Sequence, residues 1–531
     1  MSGFRKPETP RAQLLLWGKT LDEAVPLDHP VRLFEELLNS TAFSATFAEW
    51  ELQYDLTAGQ PPYHPRHLAG LYLFGMLNKL RSSRQLEAAC YNRLDVIWLM
   101  HNQHPDHATI AAFVAENGPR LRALYKDVLK VALEAGLATL EHVAYDGTKV
   151  GADAGKNSIH TQATLAAQLV ALETEVKVAE AEWEANEQRE APLLGDQAPW
   201  APPRTETLPR KLLELKRKQA RLAKALKNIE QRQRASTHSE KPKAIAVVTD
   251  PDSRVMPSKE GGSRPNYNPQ IGVDAQAGII VAAEVTDAAE DSGRLQPMLD
   301  ATQAFTQRLP LEISADGNYN TGPNLAALEE KKIAAFMPVD GVLPVALNAE
   351  PGGSTSKVFN AAEWAALPKD KEGILTKAAF KYDQARDEYR CPLGQPLTYS
   401  GTSHDQKNCG ERERRAYVCQ VCATCPRARQ CCANPVRGRT VKRDQYDEQR
   451  ERLAARMATG AAQARYELRR ETVERVFGFV KHVLGIRRFM HRGKELVEAE
   501  WLAICTVVNI KVLLKHWQAV AGVLKGGLAR V

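Results

Sequence analysis

The sequence predicts an α/β protein. A mixed-direction sheet domain is preceded by an all-α domain and interrupted by an inserted helical hairpin and a cysteine-rich insertion. Three observations lead there. From "KAIAVVTD" to "IAAFMPVD" the chain alternates strand, hairpin, helix, strand, helix and strand patterns. Residues 1–135 carry only the helical period. Seven of the nine cysteines fall between Cys391 and Cys432, inside an arginine-rich stretch that breaks the α/β pattern.

The elements follow in order. In 1–135, "HPVRLFEELLNS", "HPRHLAGLYLFGMLNKL" and "SSRQLEAACYNRLDVIWLM" repeat apolar residues at three and four. Ser82 or Ser83 is an N-cap with Gln85 and Glu87 in the next turn, and Pro65 opens a helix. Such helices suit a helix-turn-helix DNA-binding domain and equally a purely structural bundle. Segment 136–158 holds a first strand, "LEHVAYDGTKV". In 159–236, Leu165, Leu169, Leu172 and Val176 share one helix face, as do Leu212, Leu215, Leu222 and Ile229 on a second helix. A Pro-rich linker joins them, which predicts an antiparallel hairpin acting as a spacer or interaction arm. The α/β core occupies 237–345, the cysteine- and arginine-rich insertion 346–446, and closing helices 447–531.

At 531 residues the chain exceeds one ordinary core, and its 44% hydrophobic and 25% charged content is globular. No apolar run reaches a membrane span; "AICTVVNIKVLL" is broken by Lys511, and "MSGFRKPETPRAQ" lacks a signal-peptide core. These features predict a cytoplasmic protein. The net charge of +7 points toward nucleic acid. Its distribution points further, since Arg412–Arg443 holds nine Lys and Arg against the single acid Glu413. Cys90 and Cys505, alone in apolar helices, read as inert core residues.

The carboxylates carry the chemistry. "AYDGTK" and "SADGNY" each end a strand with an acid followed by Gly, which aims Asp146 and Asp316 from strand ends; alone, Asp-Gly is also a turn dipeptide. Glu474 lies in a helix where Ala461–Gly493 holds eight Lys and Arg against three Glu. With helical spacing, Arg470 and Lys481 share its face. A carboxylate flanked by cations suits a metal-and-phosphate site, and also an ion-paired helix surface.

Taken together, "YDGTKV", "ADGNYNTGPNLAALEEKKIAAFMP" and "RRETVERVFGFVKHVLGIRRFMHRG" resemble the blocks of the DDE transposases of bacterial insertion sequences. "QPPYHPRHLAGLYLFGMLNKLRSSRQLEAAC" and "PDHATIAAF" resemble that family's N-terminal helical domain. The resemblance implies an RNase H-like catalytic fold in which Asp146, Asp316 and Glu474 hold two Mg²⁺ (or Mn²⁺) ions roughly 3.5–4 Å apart. It implies phosphate contacts from Arg470, Lys481, Arg487 and Arg488, and cleavage of element ends followed by their joining to target DNA. Partners would be double-stranded DNA (terminal repeats and target) and at least a second copy of the chain, nucleoid-associated in the cytoplasm. One departure stands out. Two residues separate Tyr466 from Arg469 but three separate it from Arg470, and Arg470 has the family spacing to Glu474, so Tyr466 and Arg469 receive no role. Cys391, Cys422, Cys425 and Cys431 are the preferred set for a structural Zn²⁺, with Cys419-x₂-Cys422 a rival knuckle and free thiols the alternative. A catalytically inactive DNA-binding regulator and a nuclease of the same fold are the competing readings.

Overall fold

Val143, Ile271, Val273, Val281, Val285 and Ile313 are fully buried, and they mark the centre of a seven-stranded sheet. The computed structural model describes residues 18–54, 56, 60–190, 209–235, 245–258, 261–339, 361–407 and 410–526. The opening stretch, most of the Pro-rich linker, the start of the cysteine-rich insertion and Cys409 lie outside the described residues.

Strand β1 (His142–Gly147) is central. Short β2 (Val150–Gly151) follows it, β3 (Ile159–Thr161) and β4 (Ile245–Val247) pair with each other, and β5 (Arg254–Pro257) precedes long β6 (Ser263–Asp274). Strand β6 runs antiparallel to β1 and registers Gly147 with Gln270. Strand β7 (Ile280–Thr286) lies on the other side of β6, while β2 and β5 pair with its first residues. Parallel to β1 run β8 (Glu312–Ala315) and then β9 (Ala334–Phe336). The body of the sheet thus reads β7-β6-β1-β8-β9, with helices Leu295–Thr306 and Gly322–Glu330 connecting β7 to β8 and β8 to β9. The strand, hairpin and helix sequence expected from 237–345 is present in that order.

Helix Lys494–Lys515 is buried on nearly every side between Val497 and Ile510 and packs on β7, on helix Gly118–Glu134 and on helix Pro65–Leu77. An all-round apolar helix of this kind belongs inside a core. Its Asn509 receives the Ile280 N–H at 2.8 Å and donates to the Ile280 carbonyl at 2.9 Å, closing hydrogen bonds that an edge strand leaves open. The helices before residue 140 belong to the same continuous apolar core as the sheet. Ser82 caps helix Ser83–Asn92 in a capping box with Gln85, and Pro65 starts helix Pro65–Leu77.

Two regions have cores of their own. Helices Gln162–Glu190 and Arg210–Ala235 form the hairpin around Leu165, Leu172, Val176, Leu212, Leu222 and Ile229, with the β3–β4 pair at its base. Between Lys381 and Asp444 five antiparallel strands form a second sheet: β10 (Lys381–Asp383), β11 (Glu388–Arg390), β12 (Pro396–Lys407), β13 (Gly410–Val418) and β14 (Thr440–Asp444). Its core gathers Trp364, Phe380, Tyr389, Leu397 and Tyr417 with the cysteines.

Candidate active site

Strands β1 and β8 are parallel neighbours, and Tyr145 pairs with Ala315 at the last registered position. The next residue on each is Asp146 and Asp316, so the two carboxylates leave adjacent strand ends at the same level. Gly147 follows Asp146 for a steric reason. A Cβ there would meet Gln270 Nε2 at 2.0 Å and Asp291 Oδ1 at 2.8 Å. Asp316 instead caps the turn after β8, accepting the Asn318 N–H at 2.8 Å.

Glu474 reaches this strand end through a guanidinium. Arg469 donates to Asp146 Oδ2 at 2.6 Å, and its other terminal nitrogen lies 3.8 Å from Glu474 Oε1. Arg469 and Asp146 are only 12% and 13% exposed, while Glu474 is 55% exposed. Glu474 is five positions on from Arg469, which in an α-helix would point them well apart. Arg470–Glu474 is π-helical, however, and its wider turn aligns positions five apart. The Thr472 hydroxyl donates to the carbonyls of Leu468 at 2.9 Å and Arg469 at 3.1 Å, supporting the backbone where the α-helical ladder is interrupted. Helical spacing selected Arg470 as the partner of Glu474; the π-turn brings Arg469 there instead and leaves Arg470 exposed.

Burial pushes the Asp146 carboxyl up to about 6, against the pull of Arg469 and the Gly147 N–H; Asp316 and Asp291 add to the rise. Asp291 had no signal in the sequence beyond being one acid among several. It accepts from Asn268 Nδ2 and Gln270 Nε2, both at 2.7 Å, and Tyr319 donates its hydroxyl to Gln270 Oε1. This polar layer, with Asn268, Gln270 and Tyr319 fully buried, underlies the strand ends. Desolvation, reinforced by Asp291, Asp146 and Asp316, holds the Tyr319 phenol far above its usual range.

The remaining candidate residues lie around the same end of β1. Lys481 donates to Thr148 Oγ1 at 2.5 Å and to the Lys149 carbonyl at 3.1 Å, directly after Asp146 and Gly147. The Arg487 carbonyl accepts from Gly151 N at 2.9 Å. Arg488 is ion-paired to Asp153, which also accepts from Arg492 Nε at 2.8 Å. Arg81 donates to the Arg488 carbonyl at 2.6 Å and pairs at 3.3 Å with Glu500, which is 2% exposed. Glu500 in turn accepts the main-chain N–H groups of Met490 and His491.

Among the described residues no three His, Cys, Asp or Glu side chains stand as a metal-holding group. Asp146 and Glu474 instead share the Arg469 guanidinium. Their donor chemistry, carboxylate oxygens meeting at a cationic centre, is that of a hard divalent ion. The cysteines differ. Cys391, Cys419, Cys422, Cys425 and Cys431 line one small cavity beside Trp364 and Leu393, all as free thiols. Burial pushes Cys419 and Cys431 up to about 12 and raises Cys391 and Cys432, so they behave as neutral apolar residues. The four-thiol zinc site expected from the spacing is not assembled among them. Several arginines of the insertion are also engaged: Arg415 pairs with Asp387 at 2.5 Å, and Arg443 pairs with Glu451 and stacks 3.9 Å over Tyr382.

Comparison with known families returns two matches. Residues 390–514 match the family described as "Transposase DDE domain", a span that contains the Glu474 helix and Lys481. Residues 19–116 match a family described as "Transposase domain". Asp146 and Asp316 lie between the two matched spans. No curated protein matches the chain, and no solved structure does. Among the described residues no helix is long and apolar enough to cross a membrane. One transposase family at each end of the chain, the second of them a DDE domain, supports a DDE transposase of an insertion sequence.

Proposed function

We propose that Asp146, Asp316 and Glu474 form the catalytic triad of an RNase H-like domain. The chain would cleave DNA at the ends of its element and join them to a target. The observation that carries this reading is the register of β1 and β8: Asp146 and Asp316 end adjacent parallel strands, and Glu474 is tied to Asp146 through Arg469. The order β7-β6-β1-β8-β9, with a single antiparallel strand beside the central one on that side, supports the RNase H-like assignment.

DDE transposases generally use divalent metals such as Mg²⁺, and Asp146, Asp316 and Glu474 are the residues that would hold them here. When bound, such ions polarise the phosphoryl group and activate the attacking oxygen. The chain's own residues do the rest. Asp146 is held rigidly by β1 and the Gly147 N–H. The layer of Asn268, Gln270, Tyr319 and Asp291 fixes the floor beneath it. Lys481 is braced by Thr148 and Lys149, so its charge sits beside the acids, where a phosphate would approach. Arg469 neutralises Asp146 and Glu474 in the absence of other cations and must yield part of that contact when they take on a new one. Arg470, Arg487 and Arg488 flank the acids as further phosphate contacts.

A transposase and a nuclease of this fold part at the second step. The test is a duplex ending in a pre-cut element terminus with a free 3′-hydroxyl, incubated with supercoiled target and Mg²⁺ or Mn²⁺. Covalent joining to the target is the expected result. Cutting without any joined product would favour the nuclease.

A further inference from the structure

Helix Arg210–Ala235 carries ten Lys and Arg against two Glu. Its apolar side is spent on the hairpin, where Leu212, Leu222, Ala225 and Ile229 are buried against the neighbouring helix. On the outer side Arg217, Arg221 and Lys224 follow one another at helical spacing, with Lys218 and Lys227 flanking them, and all five are exposed. The helix has four ion pairs among the described residues: Lys216 with Glu180, Lys224 with Asp252, Arg232 with Asp287 and Arg234 with Glu230. Lys211, Arg217, Lys218, Arg221 and Lys227 have none. Like charges one turn apart destabilise a helix, so this row carries a standing cost that an external polyanion would offset.

The row is anchored to the corner of the molecule that holds the other basic groups. Asn228 donates to the Pro251 carbonyl at 2.8 Å, and Lys224 bonds Asp252 at 2.7 Å. The same Asp252 carboxylate accepts the Lys494 N–H at 3.0 Å, at the start of the long buried helix and two residues after Arg492. From Arg217 to Lys227 the stripe runs roughly 15 Å at the rise of an α-helix, with Lys224 as its link to the start of helix Lys494–Lys515 through Asp252.

We propose that this outer face is a second DNA-backbone contact, carrying flanking duplex along the arm and away from the strand-end acids. The proposal rests on the DNA-processing reading above. The chemistry is that of phosphate contact without base reading, because flexible Lys and Arg heads on one exposed helix face neutralise a regular row of charges and specify no sequence.

The test is equilibrium binding of the full chain to a long duplex over a range of salt, for wild type and for Arg217→Gln/Lys218→Gln/Arg221→Gln. These side chains are exposed and unpaired, so thermal unfolding should be unchanged. Each lost phosphate contact removes about 0.9 from the slope of log affinity against log salt. The expected result is a slope shallower by roughly 2 to 3, with weaker binding at low salt. An unchanged slope overturns the proposal. Light scattering alongside separates the other occupant: exposed Glu173, Glu175, Glu182 and Glu184 on the first arm helix would suit this face in a second copy. An unchanged slope with loss of assembled mass would assign the face to that contact and reject DNA. If wild type itself failed to bind duplex, the proposed function would fall with it; wild-type binding with an indifferent variant would reject the arm contact alone.

Discussion

Arg469 is the residue on which the two halves of the acidic site meet. Its guanidinium is nearly buried, bonds Asp146 and approaches Glu474, while its Nε, also buried, has no hydrogen-bond partner among the described residues. Removing it would leave Asp146 buried without its ion-pair partner, a costly state for a carboxylate. Arg470 is exposed one position on and has no such contact. Arg469→Gln should therefore lower the DNA-nicking rate by about a hundredfold, the usual scale for losing a preorganised electrostatic group, with duplex affinity little changed. Arg470→Gln should chiefly weaken affinity. Nicking time courses with both variants at saturating DNA decide it; equal rate losses would mean that Arg469 has no special place. The place of Arg469 beside Glu474 was hidden in the sequence for a physical reason: residue spacing was converted to a face with the period of an α-helix, and one π-turn shifts that conversion by a residue.

At the scale of elements, strand ends were legible and helix irregularities were not. Asp146-Gly147 and Asp316-Gly317 stood out because an acid followed by Gly at the end of a strand-like run is a pattern of local chemistry, and β1 and β8 set both acids at one level. The second sheet was hidden because its strands are paved with arginine and tyrosine. Some of its basic residues are stacked or paired side chains, such as Arg415 on Asp387 and Arg439 over Phe380. The cysteine spacing was legible as a cluster, and the structure gathers five of the thiols round one cavity, with burial raising Cys419 and Cys431 and no metal-holding group among the described residues. Glu500 gave no signal at all, since a single Glu in an apolar helix looks like a surface residue. In fact it joins the helix that carries it to Arg81 and to the loop at Met490 and His491. Glu500→Ala should destabilise the fold by roughly 3 kcal/mol, because a buried charge and two main-chain donors lose their partner. Urea unfolding measures this, and a change below about 1 kcal/mol, the worth of an exposed pair, would show the contact to be peripheral.

For the whole molecule, the N-terminal helices, the main sheet and the closing helices share one core, whereas the arm and the cysteine-bearing sheet each have their own. The two transposase matches fall at opposite ends of the chain, and helix Lys494–Lys515, within the second, packs on helix Pro65–Leu77 of the first. That packing brings Arg81, from one matched span, against Glu500 and Arg488 in the other, close to the segment that follows Lys481. The design suits an enzyme whose DNA-holding surface and acidic centre must keep a fixed relation. If Asp146, Asp316 and Glu474 act as one site, single-turnover nicking of a labelled duplex carrying the element's own terminal repeat depends on all three. Wild type, Asp146→Asn, Asp316→Asn and Glu474→Gln are compared with and without Mg²⁺ or Mn²⁺, with duplex affinity measured in parallel. The expected result is metal-dependent nicking by wild type, its loss by a hundredfold or more in each variant, and retained DNA binding in all four. Undiminished nicking by Glu474→Gln or Asp316→Asn, or binding by wild type without any nicking, would contradict it.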